Sequence, residues 1–271
     1  MVAYDEFRES ERSGWDARAG SYSDATARAT LQSIPALLAR ANLFPGAKVL
    51  DAGCGPGYVA ACADILGASS TGIDFSNNMI TEARRRFPGT KFEVGDMEQM
   101  PLGDQSMDAV LSNIGLFHVT DPDRVMREAF RVLSPGGKFV FSQWLGPAES
   151  ECYRMLFDVL RNHADMTLAD PAPDAYVLSD RNLVSEKMES AGFAGISFEE
   201  VPNVLHTPGP SFFDFFMTFG VRVPLIVEKQ APETRKRIRD EIDERAGGFL
   251  ADGLYRIPMP SLVVAAQRPS V

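Results

Sequence analysis

Four residues set two apart, Asp51, Gly53, Gly55 and Gly57, spell D-x-G-x-G-x-G directly after Val49-Leu50. Glycines at this spacing let the backbone approach a ligand closely, and a carboxylate at the end of an apolar run can face a cationic group. A ligand with an amino-acid moiety suits this pattern better than a pyrophosphate does. The competing dinucleotide fingerprint, G-x-G-x-x-G, would need a small residue where Tyr58 stands. Asp51 is equally open to a structural role, bonding the amides of the glycine turn. A second acid, Asp74, closes the next apolar run 23 positions on, near the roughly 20-residue offset at which an acid meets a ribose in nucleotide-binding α/β folds. A third, Asp96, lies in Gly95-Asp96-Met97, where an ordinary turn residue is the plainer reading. Of three histidines, His118 follows the fourth strand-like run, in Asn113-Ile114-Gly115-Leu116-Phe117-His118, while His163 and His206 have no motif around them. At His118 an imidazole can serve as a general base near neutral pH or simply line a pocket. Five phenylalanines and Met217 crowd positions 212–219. Phe212, Phe213, Phe216 and Met217 are the candidates for an apolar acceptor pocket, with lid anchoring or a homodimer contact as the plainer alternatives.

The elements that must hold these residues alternate between strand and helix. Val49–Asp51, Ser70–Asp74, Lys91–Val94, Met107–Ser112 and Lys138–Trp144 read as five strands. Between them the apolar residues of Tyr58–Leu66, of the segment opened by Ser76, and of the segment opened by Asp121-Pro122 recur at helical spacing. Such βαβ alternation implies a parallel sheet, and ligands sit at the carboxyl ends of its strands. Further on, Cys152–Arg161, Asp180–Ala191 and Glu233–Arg245 read as helices. Ala169–Ala175 reads as loop, and Ile196–Val204 and Ser261–Ala266 as strands. There are no internal repeats and no linker marking a boundary, so 1–271 is expected to be one domain with a lid.

Composition narrows the function classes. The 271 residues are 45% hydrophobic, enough for a full core, and the formal charge of −10 repels phosphate backbones and anionic lipid. A nucleic-acid partner is therefore not expected. Cys54, Cys62 and Cys152 form neither a disulfide framework nor a metal set. No apolar run reaches the roughly 20 residues of a membrane span, and the opening residues from Met1 to Glu9 carry no leader-like run. A cytoplasmic protein is expected, with no metal.

Four ordered motifs, Val49-Leu-Asp-Ala-Gly-Cys-Gly-Pro-Gly57, Thr71-Gly-Ile-Asp-Phe-Ser76, Gly95-Asp-Met-Glu98 and Arg131-Val-Leu-Ser-Pro-Gly-Gly137, together resemble the class I S-adenosylmethionine-dependent methyltransferases. The resemblance is to the small-molecule branch that includes the menaquinone- and ubiquinone-type C-methyltransferases, and it covers about Trp15 to Trp144. It implies a Rossmann-like, doubly wound seven-stranded sheet of order 3-2-1-4-5-7-6 with the last strand antiparallel and a helical lid inserted. Residues 1–45 would cover the cofactor, 46–146 would bind it, 147–206 would supply helices and the sixth strand, 207–253 the acceptor-side insertion and 254–271 the last strand. By the same resemblance Gly53 and Gly55 underlie the methionine part of S-adenosylmethionine, Asp74 holds the ribose hydroxyls, and Phe75 and Met79 cover the adenine. Asp96 and Met97 meet the adenine edge, Asn113 contributes backbone, the Tyr22 hydroxyl reaches the carboxylate, and Trp15 belongs to the N-terminal cover. The function implied is methyl transfer to a small molecule. A cofactor-binding protein without methylating activity, and more remotely a nicotinamide dehydrogenase, are the alternatives from other classes.

Overall fold

The computed structural model describes residues 4–270. Met1–Ala3 and Val271 lie outside it, and with them part of the opening segment read for a leader. In chain order the elements begin with three helices, α1 (Asp5–Arg18), α2 (Ala27–Thr30) and α3 (Ile34–Arg40). The alternating core follows as β1 (Lys48–Ala52), α4 (Tyr58–Ile65), β2 (Ser69–Asp74), α5 (Asn77–Arg86), β3 (Lys91–Val94), β4 (Met107–Asn113), α6 (Pro122–Val132) and β5 (Leu133–Trp144). Then come α7 (Glu151–His163), α8 (Arg181–Ser190), β6 (Ala194–Val201), β7 (Val204–Pro208), α9 (Phe212–Phe219), α10 (Arg222–Glu228) and α11 (Pro232–Ala246). The chain closes with β8 (Leu250–Ala251), β9 (Leu254–Pro258) and β10 (Ser261–Gln267).

Seven strands form one sheet in the order β3-β2-β1-β4-β5-β10-β6, with β10 antiparallel to both neighbours and the other pairs parallel. This is the expected topology, its late strand sliding in between the fifth and sixth. Ser76 caps α5 by accepting from the Met79 amide at 3.1 Å, and Asp121 caps α6 by accepting from the Arg124 amide at 2.9 Å. One side of the sheet packs Phe139, Phe141, Leu262 and Val264 against α6 and α8, and the other packs Val49, Leu111, Val140 and Val263 against α3 and α4. Both faces are therefore buried, which is why the strands read as continuous apolar runs.

Two expectations need correction. The strand read over Ile196–Val204 is two strands, because Pro202 carries no N–H and the buried Asn203 leaves the ladder. Asn203 Nδ2 donates to the Ala29 carbonyl at 2.9 Å, and its Oδ1 accepts from the Ser261 hydroxyl at 2.8 Å. From Val204 onwards the chain enters a second, three-stranded antiparallel sheet, β7-β9-β8. That sheet was not foreseen, although Asp252-Gly253, at φ +53° and +73°, is the turn of its β8–β9 hairpin and Asp-Gly is a strong hairpin signal. The strand expected to begin at Lys138 begins instead at Leu133, so Pro135-Gly136-Gly137 lies inside β5, which bulges there: Met107 pairs with Leu133 and Ala109 already with Lys138.

Candidate functional site

A cavity of about 240 Å³ opens at the carboxyl ends of β1, β2 and β4, where a sheet of this topology binds ligands. Its floor at one end is the glycine turn. Gly53 has φ +72°, a conformation that strains any other residue, and a side chain there would also have to displace Met97 Cε, 2.4 Å away. Gly55, at φ +50°, has open space around it. Its amide donates to Asp74 Oδ2 at 2.8 Å, while Asp74 Oδ1 accepts from the Ser76 amide at 2.9 Å. Each carboxylate oxygen thus keeps a lone pair for a further donor. Burial pushes the Asp74 carboxyl up to about 6 against those two amides.

Asp51 does not line the cavity. It lies beneath the turn, 1% exposed, its Oδ2 accepting from the Ala60 amide near the start of α4 at 3.0 Å and its Oδ1 unpartnered. The expected contact with a cationic group is therefore corrected to a structural one, with one oxygen left over. Burial raises this carboxyl to about 7. Phe75, Met79, Met97 and Asp96 line the cavity. Asp96 already has protein donors, Arg8 on Oδ2 and the Glu98 amide on Oδ1. Tyr22 also lines it, with its hydroxyl 3.3 Å from Thr30 Oγ1, and burial raises that hydroxyl to about 12. Asn113, at the end of β4, ties α2 to the sheet: Nδ2 donates to the Thr30 carbonyl at 2.9 Å and Oδ1 accepts from Ser142 at 2.6 Å. The next residue, Ile114, sits at φ +61°, a left-handed conformation that a β-branched residue seldom adopts. Strain of this kind gathers at functional sites.

The other end of the cavity is aromatic. Phe117, Tyr153, Phe157 and Tyr176 wall it, with ring centroids 5.4 to 6.3 Å apart, and Phe216 and Phe219 join them from α9. His118 and Trp15 stand between the two ends with rings edge to face at 5.0 Å. Of the expected acceptor-pocket residues, Phe216 is on the wall and Phe212, Phe213 and Met217 are not. Phe212 and Phe213 turn instead into a core shared with Leu205, Ile242 and Tyr255, because eight residues of helix cannot aim five rings at one cavity. His163 pairs with Glu241 on α11, away from the cavity.

Sequence reading missed Arg8, Glu11, Arg222, Tyr153, Phe157 and Tyr176 on this wall. A signal existed for some of them. Glu11 falls midway between Phe7 and Trp15 at four-residue steps, a charge in a buried stripe, and Tyr153 and Phe157 share a face of α7. Tyr176 stands in a loop that had no periodicity to read.

Glu11, Asp74, Asp96, Glu98 and Asp174 outnumber Arg8 and Arg222 around the cavity, which suits a ligand carrying positive charge. An open glycine cradle beside a strand-end acid with free lone pairs suits the ribose and amino-acid parts of S-adenosylmethionine. The chain belongs to the class I S-adenosylmethionine-dependent methyltransferases, small-molecule branch: residues 50–141 match the family described as "Methyltransferase domain". A ubiquinone/menaquinone biosynthesis C-methyltransferase of Desulfotalea psychrophila is 32% identical over 171 residues, covering 58% of this chain and 70% of that protein. A malonyl-[acyl-carrier protein] O-methyltransferase of Serratia marcescens is 35% identical over 130 residues, covering 48% of this chain and 51% of that protein. The chain spans 30% of the length of one curated relative, an uncharacterized 37.1 kDa protein in a Streptomyces fradiae transposon, and 74% of another, a demethylmenaquinone methyltransferase of Beutenbergia cavernae. The YcgJ protein of Bacillus subtilis shares the fold, with a TM-score of 0.62 at 17% identity over 88% of this chain and 99% of that one. The family's cofactor is S-adenosylmethionine. No helix among the described residues is long and apolar enough to cross a membrane.

Proposed function

We propose that this chain moves the methyl group of S-adenosylmethionine to a small apolar or aromatic metabolite by in-line displacement, releasing S-adenosylhomocysteine. The supporting observation is that one cavity runs unbroken from the Gly53–Gly55–Asp74 end to the rings of Phe117, Tyr153, Tyr176 and Phe216. When bound, the cofactor supplies an electrophilic methyl on a positively charged sulfur, so the protein must align a nucleophile, exclude water and accept a proton where one is lost. Gly53 and Gly55 give the methionine portion backbone to lie against. Asp74 takes the ribose hydroxyls on its remaining lone pairs, Phe75 and Met79 cover the base, and Asp96 and Met97 meet its edge. The backbone of Asn113 and the Tyr22 hydroxyl complete the enclosure. The N-terminal residues 1–45 act as the cover and α9 in the 207–253 insertion closes the acceptor side.

The reading of His118 as the base is supported by its ring contacts with Trp15 of the cover and Phe117 of the aromatic end, at 5.0 and 5.4 Å. The names of the relatives point to a quinone ring and to a carrier-bound malonyl group. The stacked and edge-on rings of the acceptor end favour a flat ring. Incubation with methyl-labelled S-adenosylmethionine and a panel of phenols and hydroxynaphthoquinones tests the proposal. Label in an acceptor with an equal yield of S-adenosylhomocysteine supports it. A cofactor-induced rise in melting temperature with no label transferred would instead favour a binding protein of the same fold.

A further inference from the structure

Helix α1 carries Arg8, Glu11 and Trp15 on one face at steps of three and four, and all three line the cavity. Arg8 pairs with Asp96 and lies 3.6 Å from Glu98, at the glycine-turn end. Trp15 packs on His118. Glu11, 2% exposed, places Oε2 2.8 Å from Nδ1 of His118, a residue 107 positions away. Among the described residues Nε2 of His118 has no hydrogen-bonding partner, and the ring is part of the cavity wall. Other charges reach this pair from the surrounding elements. Asp74 on β2 feels the imidazole, and Arg18 on α1 and Arg222 on α10, both lowered by burial, are held up in part by Glu11.

A buried carboxylate is costly unless it is paired and hydrogen-bonded, so its position against the imidazole is informative. An ionised carboxylate has no hydrogen to give, and the proton of a neutral imidazole then sits on Nδ1, leaving the lone pair on Nε2. We propose that Glu11 is the positioning residue for His118: it fixes the tautomer with Nε2 free and stabilises the imidazolium formed when Nε2 takes the acceptor's proton. This rests on the methyl-transfer reading above. The acceptor's O–H or N–H proton passes to Nε2. The electron pair so released bonds the methyl carbon as the carbon–sulfur bond breaks towards sulfur. The acceptor is accordingly one with a proton to lose at the attacking atom. The base is complete only while α1 is docked.

Docking is built into the same helix. Asp16 Oδ1 accepts from the Ser76 hydroxyl at 2.5 Å and from the Asn78 amide at 3.1 Å, and the Asp16 carbonyl accepts from Asn78 Nδ2 at 3.0 Å. The helix that brings the carboxylate is thereby held to the start of α5, beside the ribose-binding Asp74.

The test uses the full chain labelled with ¹⁵N-histidine, in which three histidines make the spectrum assignable with His118→Gln as the blank. Wild type and Glu11→Gln are expected to show the Nδ1–H tautomer of His118, since the amide oxygen still accepts. Glu11→Met, of similar volume and without an acceptor, is expected to lose it. Calorimetry with S-adenosylhomocysteine serves as the folding control for each variant. In methyl transfer to the phenol and hydroxynaphthoquinone panel, both variants are expected to lower kcat by about 100-fold or more with KM for either substrate little changed. An Nε2–H tautomer in wild type, or wild-type kcat in Glu11→Met, would overturn the proposal. Absence of methyl transfer by wild type defeats the reading of the reaction, and the tautomer spectra of wild type and Glu11→Met then decide the positioning role alone.

Discussion

At the scale of single residues the site turns on buried carboxylates. Asp51 and Asp74 titrate near 7 and 6 against the ordinary 3.8, both raised by burial. In that window the folded chain binds more protons than the unfolded one, so these two groups make stability fall as pH rises from about 4 to about 7. Glu82 and Glu128, held low by Arg85 and Arg131, act in the opposite sense and lose their contribution only below about pH 4.5. The melting temperature of the ligand-free chain is expected to drop between about pH 5 and about pH 8, and to drop less in Asp51→Asn. An equal drop in that variant would remove Asp51 as a cause. Asp74→Ala should weaken S-adenosylhomocysteine binding by roughly 1.5 to 3 kcal/mol, the loss of a charged acceptor for two hydroxyls. Wild-type affinity by calorimetry would move the ribose contact elsewhere. The phenylalanines of α9 separate by direction. Phe213→Ala empties a core site and should cost about 3 to 5 kcal/mol in chemical denaturation with cofactor binding intact. Phe216→Leu, on the cavity wall, should raise the acceptor's KM at little cost in stability, and equal kinetics for the two variants would end the distinction.

At the scale of elements the decisive piece is α1, which sequence reading placed only through Trp15. Its value depends on close approach to the start of α10. A side-chain carbon at Gly14 would meet Val221 Cγ1 at 2.5 Å and Cγ2 at 2.8 Å. Gly14→Leu improves helix propensity by roughly 1 kcal/mol yet overpacks the contact by about 1 to 3 kcal/mol. The expected outcome is a nearly unchanged melting temperature with about tenfold weaker S-adenosylhomocysteine binding, because docking of the cover is what suffers. Unchanged affinity would show that α1 does not enclose the cofactor. The strands and helices from β1 to β5 were legible because each has its own punctuation: the glycine turn, Ser76, Asp121-Pro122. Glu11 was not legible as a partner of His118, since contact between residues 107 apart depends on how two elements dock. Tyr176 was hidden for a similar reason, as its loop follows no period and its ring is placed by Tyr153 and Phe157. The β8–β9 hairpin is different, for Asp252-Gly253 announced it.

At the scale of the whole molecule, βαβ alternation made five parallel strands readable, whereas the order of the sheet and its antiparallel last strand came from the family resemblance. The partition of the second half was not readable, since one proline at 202 sends the chain from the main sheet to a small one. That small sheet, with α9 to α11, forms the core against which Phe212 and Phe213 pack, and so decides which rings remain for the cavity. The result is a cavity with an acidic, glycine-floored end and an aromatic end, with His118 and Trp15 between them. The most direct test is a crystal structure with S-adenosylhomocysteine bound. The expected result has the ribose on Asp74, the homocysteine over Gly53 and Gly55, and the sulfur facing an open compartment walled by Phe117, Tyr153, Tyr176 and Phe216. A ligand whose homocysteine fills that aromatic compartment, or one bound away from the glycine turn, would contradict the account.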